Sequence, residues 1–345
     1  MARVLITRLS SLGDVAMLVP AVVSVAAKYP QDRFTVLTRV AFAPLFQNLG
    51  FNINVIPIDT KKRHKGVLGF FKTLKKAISF SHIVDEHDVL RTKILRWTLM
   101  LMGKKVAHIN KGREDKARVI ATKQTNPPLR HTIERYMDTF EKLGFKADLT
   151  FSNFYDFLPR ELSEISSVCN NKDGLWIGIA PFAKHKGKIY PLDKMEKVVE
   201  KLSYRNNTKI LLFGGGKEER IVLSAWAKKY PNIINLAGKQ LKIMRELLIM
   251  SYLDVMVSMD SANMHLASLV QVPVISIWGA THPSLGFYGY NQDPDNAIQA
   301  DLACRPCSVF GNTPCENEEQ YECMSMIDES MILNKIESVL SKQSK

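Results

Sequence analysis

The chain has 345 residues, 46% hydrophobic and 23% charged, with a formal net charge of +13. That composition is ordinary for a globular protein, and the length suits two domains, each able to bury its own core. No apolar run approaches the roughly 18 residues of a membrane-spanning helix.

The charge is unevenly placed. Residues 1–150 hold 26 basic against 12 acidic side chains, and residues 151–345 hold 21 against 22. A basic half beside a neutral half favours an anionic partner for the first: a phosphorylated glycolipid, a membrane surface or nucleic acid. A solvated basic face that aids solubility fits equally well.

In chain order, Val4–Thr7 is a short apolar run that reads as a buried strand, and a helix-like run starts near Val15. Between them SSLGDV places Ser10, Ser11, Gly13 and one carboxylate, Asp14, at the strand's end. Arg3 and Arg8 ahead of an apolar stretch give a superficial likeness to a secretory leader. Gly13, Asp14 and Pro20 interrupt that stretch, so the expectation is a cytoplasmic protein. Further strand-like runs follow at Phe34–Thr38, Val55–Ile58, Ile83–Asp85 and Val106–Ile109. After a polar, irregular stretch near 147–173 the pattern restarts, with strands at Leu175–Ala180, Lys209–Gly214, Ile233–Asn235, Val255–Ser258 and Val274–Trp278. Helices read near 193–204, 217–230, 241–251 and 262–270, and a last one near Asp328–Leu340. Strand–helix alternation predicts an α/β protein with parallel sheets covered on both faces. Two such blocks predict two Rossmann-like domains facing a central cleft, at residues 1–155 and 172–325, with a terminal helical segment at 326–345.

In open α/β sheets ligands gather beyond the carboxyl ends of the strands. Asp14, Pro181–Lys188, Gly214–Glu218 and Asp260–His265 all fall at such ends. The turn Gly214-Gly215-Gly216 allows close approach to a ligand, and Glu218 after it suits ribose hydroxyls; a plain strand-to-helix turn is the simpler reading. In MDSANMHLAS, Asp260 and Ser261 can cap a helix whose first turn carries Ala262, Asn263 and His265, a setting suited to phosphate. The loop PFAKHKGKIYP offers Lys184, Lys186 and Lys188 to a diphosphate, or is simply a solvated basic loop.

SLGDV, K-x-Y-P, FGGGKEER and D-S-A-x-M-H-L-A-S followed by V-P-V-I-x-x-W-G, in that order, resemble the ADP-heptose:lipopolysaccharide heptosyltransferase family, glycosyltransferase family 9. The resemblance covers about residues 3–330. It implies a GT-B fold and inverting, metal-independent sugar transfer from an ADP-sugar to a lipopolysaccharide core or lipid A-type acceptor. It implies Asp14 as catalytic base, Lys188 as phosphate ligand, Glu218 as ribose ligand, and Asp260, Ser261, Ala262, Asn263 and His265 around phosphate and sugar. Gly215 and Lys184 join the donor side. Ala262 and Asn263 depart from the family's usual residues there, which bears on the identity of the sugar. Ser10, Ser11 and Gly13 are candidates for the acceptor side, and Lys61, Arg63 and Arg91 stand where the family places acceptor contacts.

Asp293-Pro294-Asp295 matches the D-x-D string of metal-dependent transferases but lies in a Pro/Asn-rich loop and reads as a turn. Cys304, Cys307, Cys315 and Cys323 are spaced C-x2-C-x7-C-x7-C, compatible with a structural zinc or with free thiols in a loop. No cofactor is expected for the reaction itself. The basic, apolar segments 61–77 and 90–102 fit either interfacial amphipathic helices, and so peripheral attachment to the inner face of the cytoplasmic membrane, or ordinary helices covering a sheet. Two other functions compete: another enzyme on the same fold, such as a nucleotide-sugar epimerase, and a nucleic-acid binder. The basic half shows no zinc-finger or RRM pattern, which argues against a nucleic-acid partner.

Overall fold

The computed structural model describes residues 1–60, 66–239 and 241–343. The expected acceptor residues Lys61 and Arg63 lie outside the described residues. In chain order the elements are β1 (Arg3–Thr7), α1 (Leu12–Lys28), β2 (Arg33–Arg39), β3 (Ile53–Ile58), α2 (Gly66–Ala77), β4 (His82–Asp85), α3 (Leu90–Leu101), β5 (Lys105–His108), α4 (Arg113–Thr122) and α5 (Thr132–Glu141). There follow α6 (Ser166–Cys169), β6 (Leu175–Ala180), α7 (Leu192–Ser203), β7 (Thr208–Leu212), α8 (Lys217–Lys229), β8 (Ile233–Asn235) and α9 (Ile243–Ser251). The last are β9 (Val255–Met259), α10 (Ala262–Leu269), β10 (Val274–Trp278), β11 (Ala297–Gln299), α11 (Glu322–Ser325) and α12 (Glu329–Gln343). Two units are formed, one of Met1–Gly112 with Arg130–Pro159, the other of Arg113–Leu129 with Arg160–Lys345.

Each unit is built on one parallel sheet. The first has the order β3-β2-β1-β4-β5 and the second β11-β10-β9-β6-β7-β8. The ten expected strands are all present. The eleventh, β11, has only three residues and pairs with β10 at the sheet edge, too little for a periodic signal. In each sheet the strand order reverses beside its first strand: β1 pairs with both β2 and β4, and β6 with both β7 and β9. Loops leaving the carboxyl ends on either side of such a reversal diverge and leave a crevice.

Helix α1 begins at Leu12, not near Val15, because Asp14 caps it. Ser11 is the extended N-cap residue, and its N–H and O–H donate to Asp14 Oδ2 at 2.9 and 2.7 Å. Gly13 and Asp14 are therefore first-turn residues. Pro20 does not end the helix. Burial around most of α1 outweighs the lost backbone hydrogen bond.

In the first sheet, β3 to β4 and β4 to β5 run in one direction across the order and β1 to β2 in the other. Right-handed crossovers then put α2 and α3 on one face and α1 on the opposite one. Leu95 and Leu99 of α3 pack with Ala77 of α2 over Leu5, Leu37 and Ile83. In the second unit Ile177, Ile179, Ile210, Leu212, Val255, Val257 and Ile275 form the core with α7, α8 and α12. Among the described residues no helix is long and apolar enough to cross a membrane.

Candidate functional site

In the first unit the site is built at the β1/β4 reversal. Thr7 pairs in register with Asp85, so the chain leaving β1 at Arg8 and the chain leaving β4 at Glu86 are neighbours. Asp85 is fully buried and organises the second loop. Its Oδ1 accepts from the Thr7 hydroxyl (2.9 Å) and from the N–H groups of His87 and Asp88 (3.1 Å each), and its Oδ2 accepts from Arg96 (3.0 Å). Arg96 also reaches Asp88 Oδ1 at 3.0 Å, which fixes the loop to α3.

Asp14 projects from the first turn of α1. Arg8 Nη2 lies 2.6 Å from its Oδ2, and Arg8 Nη1 donates to the Glu86 carbonyl. With the two Ser11 bonds, three contacts converge on Oδ2, and none of them falls on Oδ1. Burial raises the Asp14 carboxyl, but the Arg8 charge and the Ser11 donors outweigh it and hold the group below its ordinary value. Tyr136 of α5 donates to the Asp14 carbonyl at 3.2 Å and steadies the turn.

Ser10 Oγ is 3.1 Å from His87 Nε2. Burial, then the charges of Arg8 and Lys111, push His87 down to about 3, so its imidazole is neutral, and among the described residues its buried Nδ1 finds no hydrogen-bond partner. Glu86 is fully buried and burial raises its carboxyl well above the ordinary value. Thr139 Oγ1 lies 3.2 Å from Glu86 Oε2 and 2.9 Å from the Arg135 carbonyl. The Thr139 hydroxyl can donate to either acceptor, and so ties Glu86 to α5. Arg91 is half-buried in the first turn of α3, four residues beyond His87.

In the second unit the site stands at the β6/β9 reversal. Ala180 pairs with Ser258, which sets the Pro181–Lys188 loop beside Asp260. Lys188 Nζ is 2.8 Å from Asp260 Oδ2, with both side chains largely buried, and the Thr281 hydroxyl donates to the same oxygen at 2.8 Å. Ser261 is the N-cap of α10, its Oγ 3.2 Å from Ser258 Oγ. Ala262 and Asn263 open that helix half-exposed, while His265 is buried in it. The Lys188 loop docks by close backbone approach. The Gly187 carbonyl accepts from Ala280 N–H at 2.9 Å, and a side chain at Gly311 (φ +73°) would run into the Lys188 stem, 2.7 Å from Cδ. Tyr190 anchors the loop's end by donating to the Ile327 carbonyl at 2.9 Å.

At the glycine turn Glu219 Oε2 accepts from Gly215 N–H (2.7 Å) and Gly216 N–H (3.1 Å) and caps α8. Its neighbour Glu218 is left exposed, as are Gly215 and Lys184.

The cysteine segment has another use. Arg305, between Cys304 and Cys307, donates to the carbonyls of Trp278 (3.1 Å), Gly279 (2.6 Å), Thr281 (3.1 Å) and Ala300, and to Gln299 Oε1 (3.1 Å). It clasps the ends of β10 and β11 and holds Thr281 against Asp260. A cavity of about 300 Å³ beyond it is lined by Lys123, His282, Gln299 and Asp301, and by none of the expected donor residues. Burial and Arg305 push His282 down to about 4. Among the described residues no group of three or more His, Cys, Asp or Glu side chains is arranged to hold a metal, so of the two readings of Cys304, Cys307, Cys315 and Cys323 the structural zinc gains no support. Asp293-Pro294-Asp295 forms a 3₁₀ turn with Asp293 as its cap.

Sequence reasoning passed over Arg8, His87, Thr281 and Arg305. Arg8 carried a signal, a cation directly after a fully apolar strand. His87 becomes conspicuous only when β4 is known to lie beside β1.

A profile of glycosyltransferase family 9 (heptosyltransferase) matches residues 70–314. The lipopolysaccharide core heptosyltransferase OpsX of Haemophilus influenzae is 26% identical over 85% of this chain and 83% of its own. A family 9 glycosyl transferase from Veillonella parvula superposes with a TM-score of 0.73 at 17% identity, covering 99% of this chain and 98% of that one. The E. coli heptosyltransferase WaaC, solved with ADP, superposes with a TM-score of 0.68 at 18% identity, covering 98% and 99%. These neighbours share the GT-B fold of two Rossmann-like domains.

Proposed function

The chain belongs to glycosyltransferase family 9, the heptosyltransferases, and from that membership we propose that it moves a heptose or related sugar from an ADP-sugar to an anionic glycolipid of the lipopolysaccharide core, with inversion and without a metal. The ADP found with the WaaC neighbour supports the donor. The core heptosyltransferase named among the relatives supports the acceptor. The basic first half suits a phosphorylated glycolipid.

The observation that carries the mechanism is the one-sided loading of Asp14. Arg8 and Ser11 occupy Oδ2 and lock the carboxylate in its ionised form. Oδ1 is then the atom that takes the proton from the acceptor hydroxyl as its oxygen attacks the anomeric carbon. A positioned base of this kind contributes about 10²–10⁴-fold. Ser10, its hydroxyl set by neutral His87, and the Gly13 turn border the acceptor. Arg91, with Lys61 and Arg63, meets the acceptor's anionic groups. On the donor side the sugar carbon–oxygen bond breaks toward the diphosphate. Lys188, Lys184 and the first N–H groups of α10 at Ala262 and Asn263 stabilise the charge that develops there. Asp260 holds Lys188 in place, Ser261 and His265 border the phosphates and sugar, and Glu218 beside Gly215 takes the ribose hydroxyls. With these cations and dipoles in place, EDTA leaves turnover unchanged. The enzyme works at the cytoplasmic side of the membrane that carries its acceptor.

The test is ADP release from an ADP-sugar in the presence of deacylated core acceptor. Asp14→Ala is expected to lose at least a hundredfold in turnover while still binding ADP. Near wild-type turnover would overturn the assignment. A thermal-shift screen should favour ADP-sugars over UDP- and GDP-sugars.

A further inference from the structure

Helix α3 has a buried side and, opposite it, an exposed apolar one. Thr92, Leu95, Arg96 and Leu99 are buried against the sheet. Leu90, Ile94, Trp97 and Leu101 recur at i, i+4, i+7 and i+11, and at about 100° per residue they fall within one narrow stripe diametrically opposite the buried one. That stripe faces water: Leu90 is 73% exposed, Ile94 42%, Trp97 51% and Leu101 86%. Met100 and Met102 widen it at the helix's end. A contiguous row of large apolar side chains rimmed by polar groups marks an interaction surface.

We propose that this outer stripe of α3 seats the first unit on an anionic lipid bilayer. The proposal rests on the glycolipid-acceptor reading above and names the surface by which the protein meets the membrane that holds that acceptor. The charges around the stripe select the occupant. Arg91 and Lys93 flank it on its two sides, and Lys72, Lys75 and Lys76 of α2, the neighbouring helix on the same face of the sheet, are exposed. Lys93 is held 3.7 Å from Asp88, and the exposed Lys72, Lys75 and Lys76 add to the positive field. Cations around a Leu/Ile/Trp stripe match acyl chains below and anionic headgroups above. A second copy of this chain fits poorly, because two-fold pairing would set this basic rim against itself. The helix starts at the rim of the Asp14 crevice, so its N-terminal turn connects the lipid surface to the acceptor side.

The full chain is mixed with vesicles of phosphatidylcholine with 30% phosphatidylglycerol, and with vesicles of phosphatidylcholine alone. Wild type should co-sediment with the anionic vesicles and partition at least tenfold less onto the neutral ones. Trp97 is the reporter: Trp176, Trp226 and Trp278 are buried, so a blue shift on adding vesicles comes from Trp97. The variant Ile94→Gln/Trp97→Gln/Leu101→Gln, all at exposed positions, should lose partitioning at least tenfold, with unchanged circular dichroism and unchanged turnover on deacylated acceptor. Equal partitioning of wild type and variant overturns the proposal. So does a wild-type dimer in solution that the variant dissolves, which would assign the stripe to a second copy. Loss of turnover on the soluble acceptor in wild type would refute the glycosyltransfer reading and leave the vesicle result standing by itself.

Discussion

Lys188 Nζ and Asp260 Oδ2 lie 2.8 Å apart across the β6/β9 reversal, and they are largely buried there. Removing one partner strands the other charge. Lys188→Met is expected to lower stability by about 2 kcal/mol, a modest instance of the cost of stranding a buried charge. Asp260→Asn should cost a comparable amount, and the double variant less than the sum of the two. Chemical denaturation of the four proteins gives the coupling energy. Lys188→Met should in addition abolish the thermal shift produced by ADP. Additive losses would show that the pair is not coupled.

Arg8 keeps Asp14 ionised against the pull of burial. The acid limb of the rate–pH profile in wild type should therefore lie below the ordinary carboxylate range. In Arg8→Gln only the Ser11 donors still oppose burial, and the limb should move upward. The same shift is a stability effect. The Asp14 contribution is complete above the unfolded carboxylate's pKa and is lost as pH falls through the lower folded value. Titrating activity between pH 3 and 8 for both proteins reads the displacement; coincident limbs would mean that Arg8 does not tune the base.

Gly311 has a left-handed backbone, and a Cβ there would strike the Lys188 stem. Gly311→Ala should fold with a loss of about 1–2 kcal/mol from backbone strain. The larger effect should be on donor KM, because Lys188 is displaced while Asp14 is untouched. Steady-state kinetics with the donor varied would separate the two; an unchanged donor KM would show that the loop accommodates the methyl group.

Glu246 on α9 is desolvated, and burial pushes its carboxyl up to about 7 from an ordinary 4.5. The folded chain keeps a proton that the unfolded chain gives up, so stability falls as pH rises from 4.5 to 7 and stays lower above that. Glu246→Gln removes this penalty. Its thermal midpoint should exceed wild type by about 2–4 °C at pH 8 and match it at pH 4. A difference independent of pH would contradict the raised value.

Both sheets were legible because each buried parallel strand is a short, nearly continuous apolar run, and the polar clusters stood where those runs end. The order of the strands was not legible. Nothing between Val4 and Asp85 in the sequence says that β1 and β4 are neighbours, so the His87–Ser10 contact and the Asp85 brace had no linear trace. The start of α1 was displaced because the apolar run begins only at Val15; that Asp14 favours a helix start could be read from the sequence, but its place inside the first turn is fixed by the bonds from Ser11. Glu218 and Glu219 are equivalent on paper. Only the turn's geometry, which uses the Glu219 carboxylate on Gly215 and Gly216, sets them apart. The four cysteines drew attention from Arg305, whose five acceptors are main-chain carbonyls and one amide oxygen with no motif to announce them.

The Arg305 clasp also imposes an order on biosynthesis. Asp260 and Lys188 leave the ribosome long before Arg305, and the carbonyls of Trp278, Gly279 and Thr281 wait without their donor until it arrives. A nascent chain ending short of that arginine has the second sheet's strands but no fixed Thr281 beside Asp260. The Lys188–Asp260–Thr281 cluster is thus completed only by a residue that follows every strand of the second sheet, so the sheet can form before the cluster does.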